Sequence, residues 1–327
     1  MLKRSKSLLV TGGAGFIGSH FVEEVFQNQN NPFQNVVVLD LLTYSGLKSN
    51  LATFTHHPKF KFVHGDIADR KLVESTLKDF AIDSIVNFAA ESHVDRSIAS
   101  ATPFVHTNVQ GVTNLLESFR DLCKGRFIQI STDEVYGSIS EGSWSESEPL
   151  APNSPYSASK ASADLMAMAF HRTYGVDLCI TRCSNNYGPR QFPEKLIPLF
   201  ITNLIDGQKL PLYGDGQNVR DWIHVKDHCR AVLKVLIQGQ SGSVYNIGGH
   251  QEVSNLELTT KLLGEFDAPE SAIDYVKDRA GHDFRYSVDD SKIRSELAFA
   301  NLISFEEGLR DTVHWYKSHE SWWRELK

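Results

Sequence analysis

Cysteine is scarce: four in 327 residues, at 123, 179, 183 and 229, with no Cys-x-x-Cys pair. That leaves no disulfide framework and no thiolate metal motif, and it fits a reduced, cytoplasmic compartment. Long hydrophobic runs are missing too. Nothing approaches the roughly 20 apolar residues of a membrane span, and the basic opening Met1–Val10 breaks at Thr11-Gly12-Gly13, too early for a signal-peptide core. Positive charge is in deficit, 33 basic against 40 acidic side chains, for a net −7. That balance argues against a nucleic-acid binder or a protein that clings to anionic membranes. Repeats, low-complexity tracts and long linkers are absent, and the histidines show no ligand spacing, so no metal is assigned.

What remains is ordinary for a folded chain, 41% hydrophobic and 22% charged residues, enough for a large core in two lobes or one large α/β domain. Apolar runs at Ser7–Thr11, Asn35–Asp40, Phe60–His64, Ser84–Ala89, Arg126–Ser131 and Asp177–Arg182 read as buried strands. Amphipathic stretches near 15–29, 69–80, 103–122 and 156–174 separate them. This alternation predicts a doubly wound parallel sheet with helices on both faces. Beyond Asn185 the rhythm changes: prolines cluster at 189, 193, 198 and 211, and helices near 254–266 and 304–319 stand between loops. The chain therefore divides into 1–184 and a smaller lobe, 185–327, folded over the sheet's carboxyl edge, although Val244–Ile247 can return to the main sheet.

The first strand runs into Thr11-Gly12-Gly13-Ala14-Gly15-Phe16-Ile17-Gly18. Glycines at this spacing allow a sharp strand-to-helix turn, a close backbone approach to a pyrophosphate and tight helix–sheet packing. The next strand ends in Asp40, 22 positions past Gly18 (40 − 18 = 22). A carboxylate there accepts from a ribose 2′-hydroxyl and repels a 2′-phosphate, which favours NAD over NADP. Asp66 and Ile67 follow the third strand and suit the adenine side, or a simple helix cap. Ala89, Ala90 and Ser92 follow the fourth, where small residues let backbone approach the nicotinamide half.

The fifth strand ends in Ser131-Thr132-Asp133-Glu134, and Asn153-Ser154-Pro155-Tyr156-Ser157-Ala158-Ser159-Lys160 comes about twenty residues later. Ser154 and Pro155 read as N-cap and first helical residue, which puts Tyr156 and Lys160 on one helical face. An ammonium near the phenol, with a positive nicotinamide ring, is expected to lower the Tyr156 pKa and make it a base. Asp133 and Glu134 are either a solvated acidic turn or two carboxyls with divergent pKa values, one a proton donor and the other a base.

This combination resembles the extended short-chain dehydrogenases/reductases, and within them the dTDP-glucose 4,6-dehydratases. The likeness runs through Ala89–Ile98, Cys183–Pro198, Leu210–Asp227 and Asp278–Tyr286. It implies a Rossmann-type domain with a smaller C-terminal substrate-binding lobe. Arg190 stands where the family often has an aromatic, and Ala280 where it usually has proline.

The resemblance implies roles. Gly12, Gly15, Phe16, Ile17, Gly18, Asp40, Asp66, Ile67, Ala89, Ala90, Ser92 and Asn186, with Tyr156 and Lys160, would hold NAD. Thr132 would bond the reacting sugar oxygen, Tyr156 with Lys160 would oxidise C4, Asp133 would protonate the leaving C6 hydroxyl and Glu134 would take the C5 proton. Ser92, His93, Asn185, Lys195, Leu196, Pro211, Tyr213, Arg220, Asn255, Arg279, His282 and Tyr286 would line the site of dTDP-glucose, and helices 103–122 and 156–174 would pair in a homodimer. Other nucleotide-hexose dehydratases share this chemistry. A 4-epimerase or a decarboxylase lacks a use for the acid pair, and a silent NAD-binding protein lacks a use for the whole set.

Overall fold

The computed structural model describes residues 7–28, 31–278 and 281–327. Seven parallel strands form the main sheet: β1 (Ser7–Thr11), β2 (Asn35–Asp40), β3 (Phe60–His64), β4 (Ser84–Asn87), β5 (Phe127–Thr132), β6 (Leu178–Cys183) and β10 (Val244–Ile247). Their order is β10-β6-β5-β4-β1-β2-β3. Strand order reverses between β1 and β4, and in open α/β sheets the crevice at such a reversal is where ligands sit.

Strands β1, β2, β5 and β6 are almost continuously buried, as expected of a parallel sheet covered on both faces. One face packs on α1 (Phe16–Gln27) and, from later in the chain, α8 (Val225–Gln238). The other packs on α2 (Arg70–Asp79), α5 (Val112–Leu122) and α6 (Pro155–Tyr174). Short helices α3 (Val94–Ala99) and α4 (Thr102–Phe104) precede α5. The expected single helix over 103–122 is interrupted by a π-helical stretch, Val105–Gly111. Within that stretch buried Asn108 accepts from the Glu91 amide at 2.9 Å and donates to the Glu91 carbonyl and the Ser159 hydroxyl, both at 2.9 Å. Those bonds tie the turn after β4 to α6, an arrangement that hydrophobic periodicity does not encode.

The later chain adds β7 (Asn185–Tyr187), β9 (Val219–His224) and β11 (Glu252–Ser254) in one small sheet, and β8 (Leu210–Tyr213) with β12 (Ile273–Val276) in another. With α7 (Leu196–Ile205), α9 (Asn255–Gly264), α10 (Ser291–Leu297), α11 (Phe305–Ser318) and α12 (Glu320–Arg324), these elements complete the fold. Tyr187, Phe200, Trp222, Tyr316 and Trp323 belong to a separate hydrophobic cluster there. No helix among the described residues is long and apolar enough to cross a membrane.

Candidate active site

A continuous cleft runs along the carboxyl ends of β1, β2, β4 and β5, and its lining draws on both parts of the chain. At one end is the glycine turn. Gly12 adopts φ +64°, and a Cβ on it would lie 2.6 Å from the Ala89 nitrogen. A Cβ on Gly18 would lie 2.3 Å from the Gly12 carbonyl oxygen. Gly15 differs: its added Cβ would touch only the Gly12 oxygen, at 3.3 Å, so its remaining side faces open space. The N-terminal amides of α1 open on the same space, a cradle shaped for a pyrophosphate. Asp40 is 8% exposed and holds the turn, accepting from the amides of Ala14 at 2.9 Å and Leu42 at 2.8 Å. Each carboxylate oxygen keeps a second lone pair for a ribose hydroxyl, and among the described residues the Lys and Arg side chains that line the cleft are Lys160 and Lys195, neither on the Asp40 loop. These residues fit a dinucleotide without a 2′-phosphate.

At the other end the walls are side chains. Ser154 caps α6 through a reciprocal bond with Ser157, and Pro155 takes the first helical position as expected. Tyr156 and Lys160 face the cleft beside Thr132, Asp133 and Glu134. Asp133 is 2% exposed; its Oδ1 accepts from the Thr132 hydroxyl at 3.1 Å, while Oδ2 is buried with no partner among the described residues. Burial first, then the Glu134 charge, hold this carboxyl well above the usual range. Both causes favour the protonated form of Asp133 and leave a buried oxygen with no hydrogen-bond partner among the described residues.

The tyrosine departs from expectation. Burial, and then the charges of Glu134, Cys183 and Asp133, push the Tyr156 phenol up, not down. Lys160 turns its ammonium to the Ile130 carbonyl at 2.5 Å, and burial draws its own pKa down while Asp164, one turn along α6, draws it up. The dry wall itself is the main cause, with the Glu134 charge next, while the Lys160 ammonium is committed to the backbone.

Other expected residues divide into two groups. Phe16, Ile17, Asp66, Ile67, Ala89, Ala90, Ser92, Asn185, Asn186 and Lys195 line the same cleft. His93 caps α3 nearby, and burial lowers its pKa. Leu196 starts α7 and packs toward the second lobe's core. Pro211 and Tyr213 lie on β8, and the Tyr213 ring meets the edge of His282 at 6.2 Å. His282 is paired with Asp278 at 2.6 Å. Arg220 is 5% exposed and stacks 4.5 Å from the Tyr286 ring, donating to the carbonyls of Val219, Asp283 and Phe284. Asn255 opens α9 with its Oδ1 buried and unpartnered among the described residues. Arg279 and Ala280 lie outside the described residues.

A model of the GDP-mannose 4,6 dehydratase family matches residues 9–312. The chain belongs to that family. It is 53% identical over 322 residues to a dTDP-glucose 4,6-dehydratase of Streptomyces niveus, covering 98% of this chain and 95% of that one. Among solved structures it superposes with TM-score 0.96 on DesIV, the dTDP-glucose 4,6-dehydratase of Streptomyces venezuelae with NAD and TYD bound, at 56% identity, covering 98% of this chain and all of that one (100%). The dTDP-glucose 4,6-dehydratase of Bacillus anthracis, in complex with NAD, follows at TM-score 0.92 and 47% identity, covering 99% and 100% of the two chains.

Against this family background, the rim of the cleft holds Tyr44, Arg96 and Glu194, which motif reading passed over, beside the expected Ser92 and Lys195. The Tyr44 hydroxyl donates to Glu194 at 2.8 Å, the Arg96 guanidinium lies 3.7 Å from the Tyr44 ring and 3.2 Å from Glu194, and Lys195 donates to the Ser92 carbonyl at 3.1 Å. Three segments distant in sequence are tied together over the opening. A conspicuous Tyr-Ser-Gly after β2 and an acid–base pair at 194–195 were the only sequence signals. The unusual Arg190 sits at φ +66° and reaches α1, bonding Glu23 at 2.7 Å and His20 at 2.8 Å. It fastens the loop after β7 to the cofactor helix where an aromatic could only pack.

Proposed function

We propose that the chain is an NAD-dependent dTDP-glucose 4,6-dehydratase, a hydro-lyase that yields dTDP-4-keto-6-deoxyglucose. The observation that carries this reading is Asp133, a buried carboxyl with a strongly raised pKa, next in the chain to a half-buried second acid, Glu134, and facing the same cleft as Tyr156. A redox enzyme that only moves a hydride out and back has no use for that pair.

NAD, when bound, supplies a hydride acceptor and later a donor, and sets a positive ring beside the phenol. Tyr156 takes the C4 hydroxyl proton, with Thr132 orienting that oxygen and Lys160 holding the strand end. The C5 proton is then acidic, being next to a ketone, and Glu134 removes it. Asp133 gives its proton to the C6 hydroxyl, which leaves as water. The glycine turn and Asp40 hold the dinucleotide, with Asp66, Ile67, Ala89, Ala90, Ser92 and Asn186 along its length. Asn185, Lys195, Leu196 and the second-lobe residues Pro211, Tyr213, Arg220, Asn255, Arg279, His282 and Tyr286, with Ser92 and His93, serve the sugar nucleotide. The division of labour thus follows the chain, 1–184 for the cofactor and 185–327 mainly for substrate, with α8 and β10 returned to the first sheet.

We also assign the protein to the cytoplasm, consistent with four free, buried cysteines, and to a homodimer, consistent with Ile98, Val105 and Leu165 exposing 47%, 54% and 63% of their surface along α3–α6. Incubation with dTDP-, UDP-, CDP- and GDP-glucose, read by mass spectrometry, tests the function. Loss of one water from the dTDP sugar alone, or far faster from it, is expected. Preference for another base reassigns the substrate, and epimer formation without water loss removes the dehydratase reading.

A further inference from the structure

Behind the cleft wall lies a fully buried histidine that the proposed chemistry does not use. His228, in the first turn of α8, has no exposed surface, and its Nδ1 is 2.8 Å from Asn186 Oδ1. The other end of the Asn186 amide lies 3.0 Å from the Ser184 carbonyl and 3.4 Å from Cys183 Sγ. A carbonyl only accepts, so the atom facing Ser184 is the NH2 and the one facing His228 is the oxygen. His228 must then carry its proton on Nδ1. Its Nε2 is left as a bare acceptor, buried with no partner among the described residues. Cys183 in turn donates toward the Ser131 carbonyl at 3.5 Å, next to Thr132. Donation thus runs in one direction, from α8 through Asn186 and Cys183 to the end of β5. Asn186 is the only link whose amide could reverse, and the histidine is what holds its oxygen end; Gln191 holds only the Asn186 backbone, donating to its main-chain carbonyl at 2.9 Å.

We propose that His228 is a positioning residue: through its Nδ1 proton it fixes the Asn186 amide against the cofactor side of the cleft. This rests on the reading of Asn186 as a cofactor contact. Without that donor the amide oxygen would be stranded against apolar wall and the amide could turn over, presenting the wrong atom to the cleft. Asn offers a donor near the position of Nδ1; Leu offers none.

The test has two arms. In the wild-type protein, 15N spectra of labelled histidine are expected to show one ring, lost in His228→Asn, that stays neutral and protonated at Nδ1; a proton on Nε2 of that ring overturns the proposal, and so does a wild-type spectrum with no neutral ring protonated at Nδ1, even if no variant folds. In the second arm, His228→Leu is expected to weaken NAD binding, followed by titration of stripped enzyme, by about tenfold with the sugar-nucleotide KM nearly unchanged, and His228→Asn to recover most of it. Equal losses in both variants, or a Leu variant that binds NAD as the wild type does, overturn it. If wild-type protein binds no NAD at all, the cofactor reading itself falls, while the proton on Nδ1 is still read independently.

Discussion

The two ends of the cleft are built on opposite principles. At the dinucleotide end the chain removes side chains: Gly12 and Gly18 leave no room for a Cβ, and backbone amides and one acid, Asp40, border the open space. At the chemical end it crowds side chains into a dry wall, and burial moves the protons of Asp133, Tyr156 and Lys160 away from their ordinary values. The first end is shape; the second is stored electrostatic cost. Sites of the first kind fail on added volume, whereas those of the second kind fail also on a single misplaced proton.

That contrast can be broken at several points, and the largest effect is expected at Tyr156. Tyr156→Phe keeps the ring and the packing but removes the base, so turnover should fall by roughly 10²–10⁴-fold with bound NAD unchanged. Near-normal turnover in a direct product assay would take the base away from Tyr156. Asp133→Asn should cost a similar or slightly smaller factor in elimination while improving the fold. The sign follows from the raised pKa: folded protein keeps a proton that the unfolded chain releases above about pH 4. Wild-type stability from this group is therefore intact below that pH and is lost as pH rises through the raised value. The variant's advantage in urea denaturation should widen from pH 5 toward pH 9; a gap that stays constant over that range would mean that the carboxyl is already ionised in the folded protein.

At the other end, Gly18→Ala drives a methyl into the Gly12 carbonyl and should destabilise by about 1–3 kcal/mol, with NAD lost before the fold. Calorimetry with and without NAD separates the two effects, and an unshifted melting temperature would show that the turn can yield. The smallest change is at the rim. Tyr44→Phe deletes one partly exposed hydrogen bond to Glu194, so NAD should leave only a few-fold faster, the size of about 0.5–1.5 kcal/mol. A change as large as that of Gly18→Ala would make the rim part of the binding site proper.

Legibility in the sequence divides along the same line. The shape-built end was readable, since Gly12, Gly15, Gly18 and Asp40 declare themselves through spacing after a strand of alternating α/β rhythm. Tyr156 and Lys160 were readable as one helical face, and Ser154-Pro155 as the start of that helix. What spacing did not reveal was the direction of the Tyr156 shift, because it depends on how dry the wall is and on Lys160 spending its ammonium on the Ile130 carbonyl. The π-helical turn around Asn108 was hidden for a similar reason: its bonds go to Glu91 and Ser159, residues near only in space. The same holds for Tyr44, Arg96 and Glu194, drawn from two loops and the short helix α3, and for His228, which periodicity reads as core.

The central claim is that hydride leaves C4 and comes back to C6 within one active site, while C5 trades its proton with water. The direct measurement is turnover of dTDP-glucose carrying deuterium at C4, in ordinary water, with the product examined by mass spectrometry and NMR. The account predicts a 4-keto-6-deoxy product that keeps the deuterium, at C6. A product formed at full rate with that label absent, or still at C4, would contradict it.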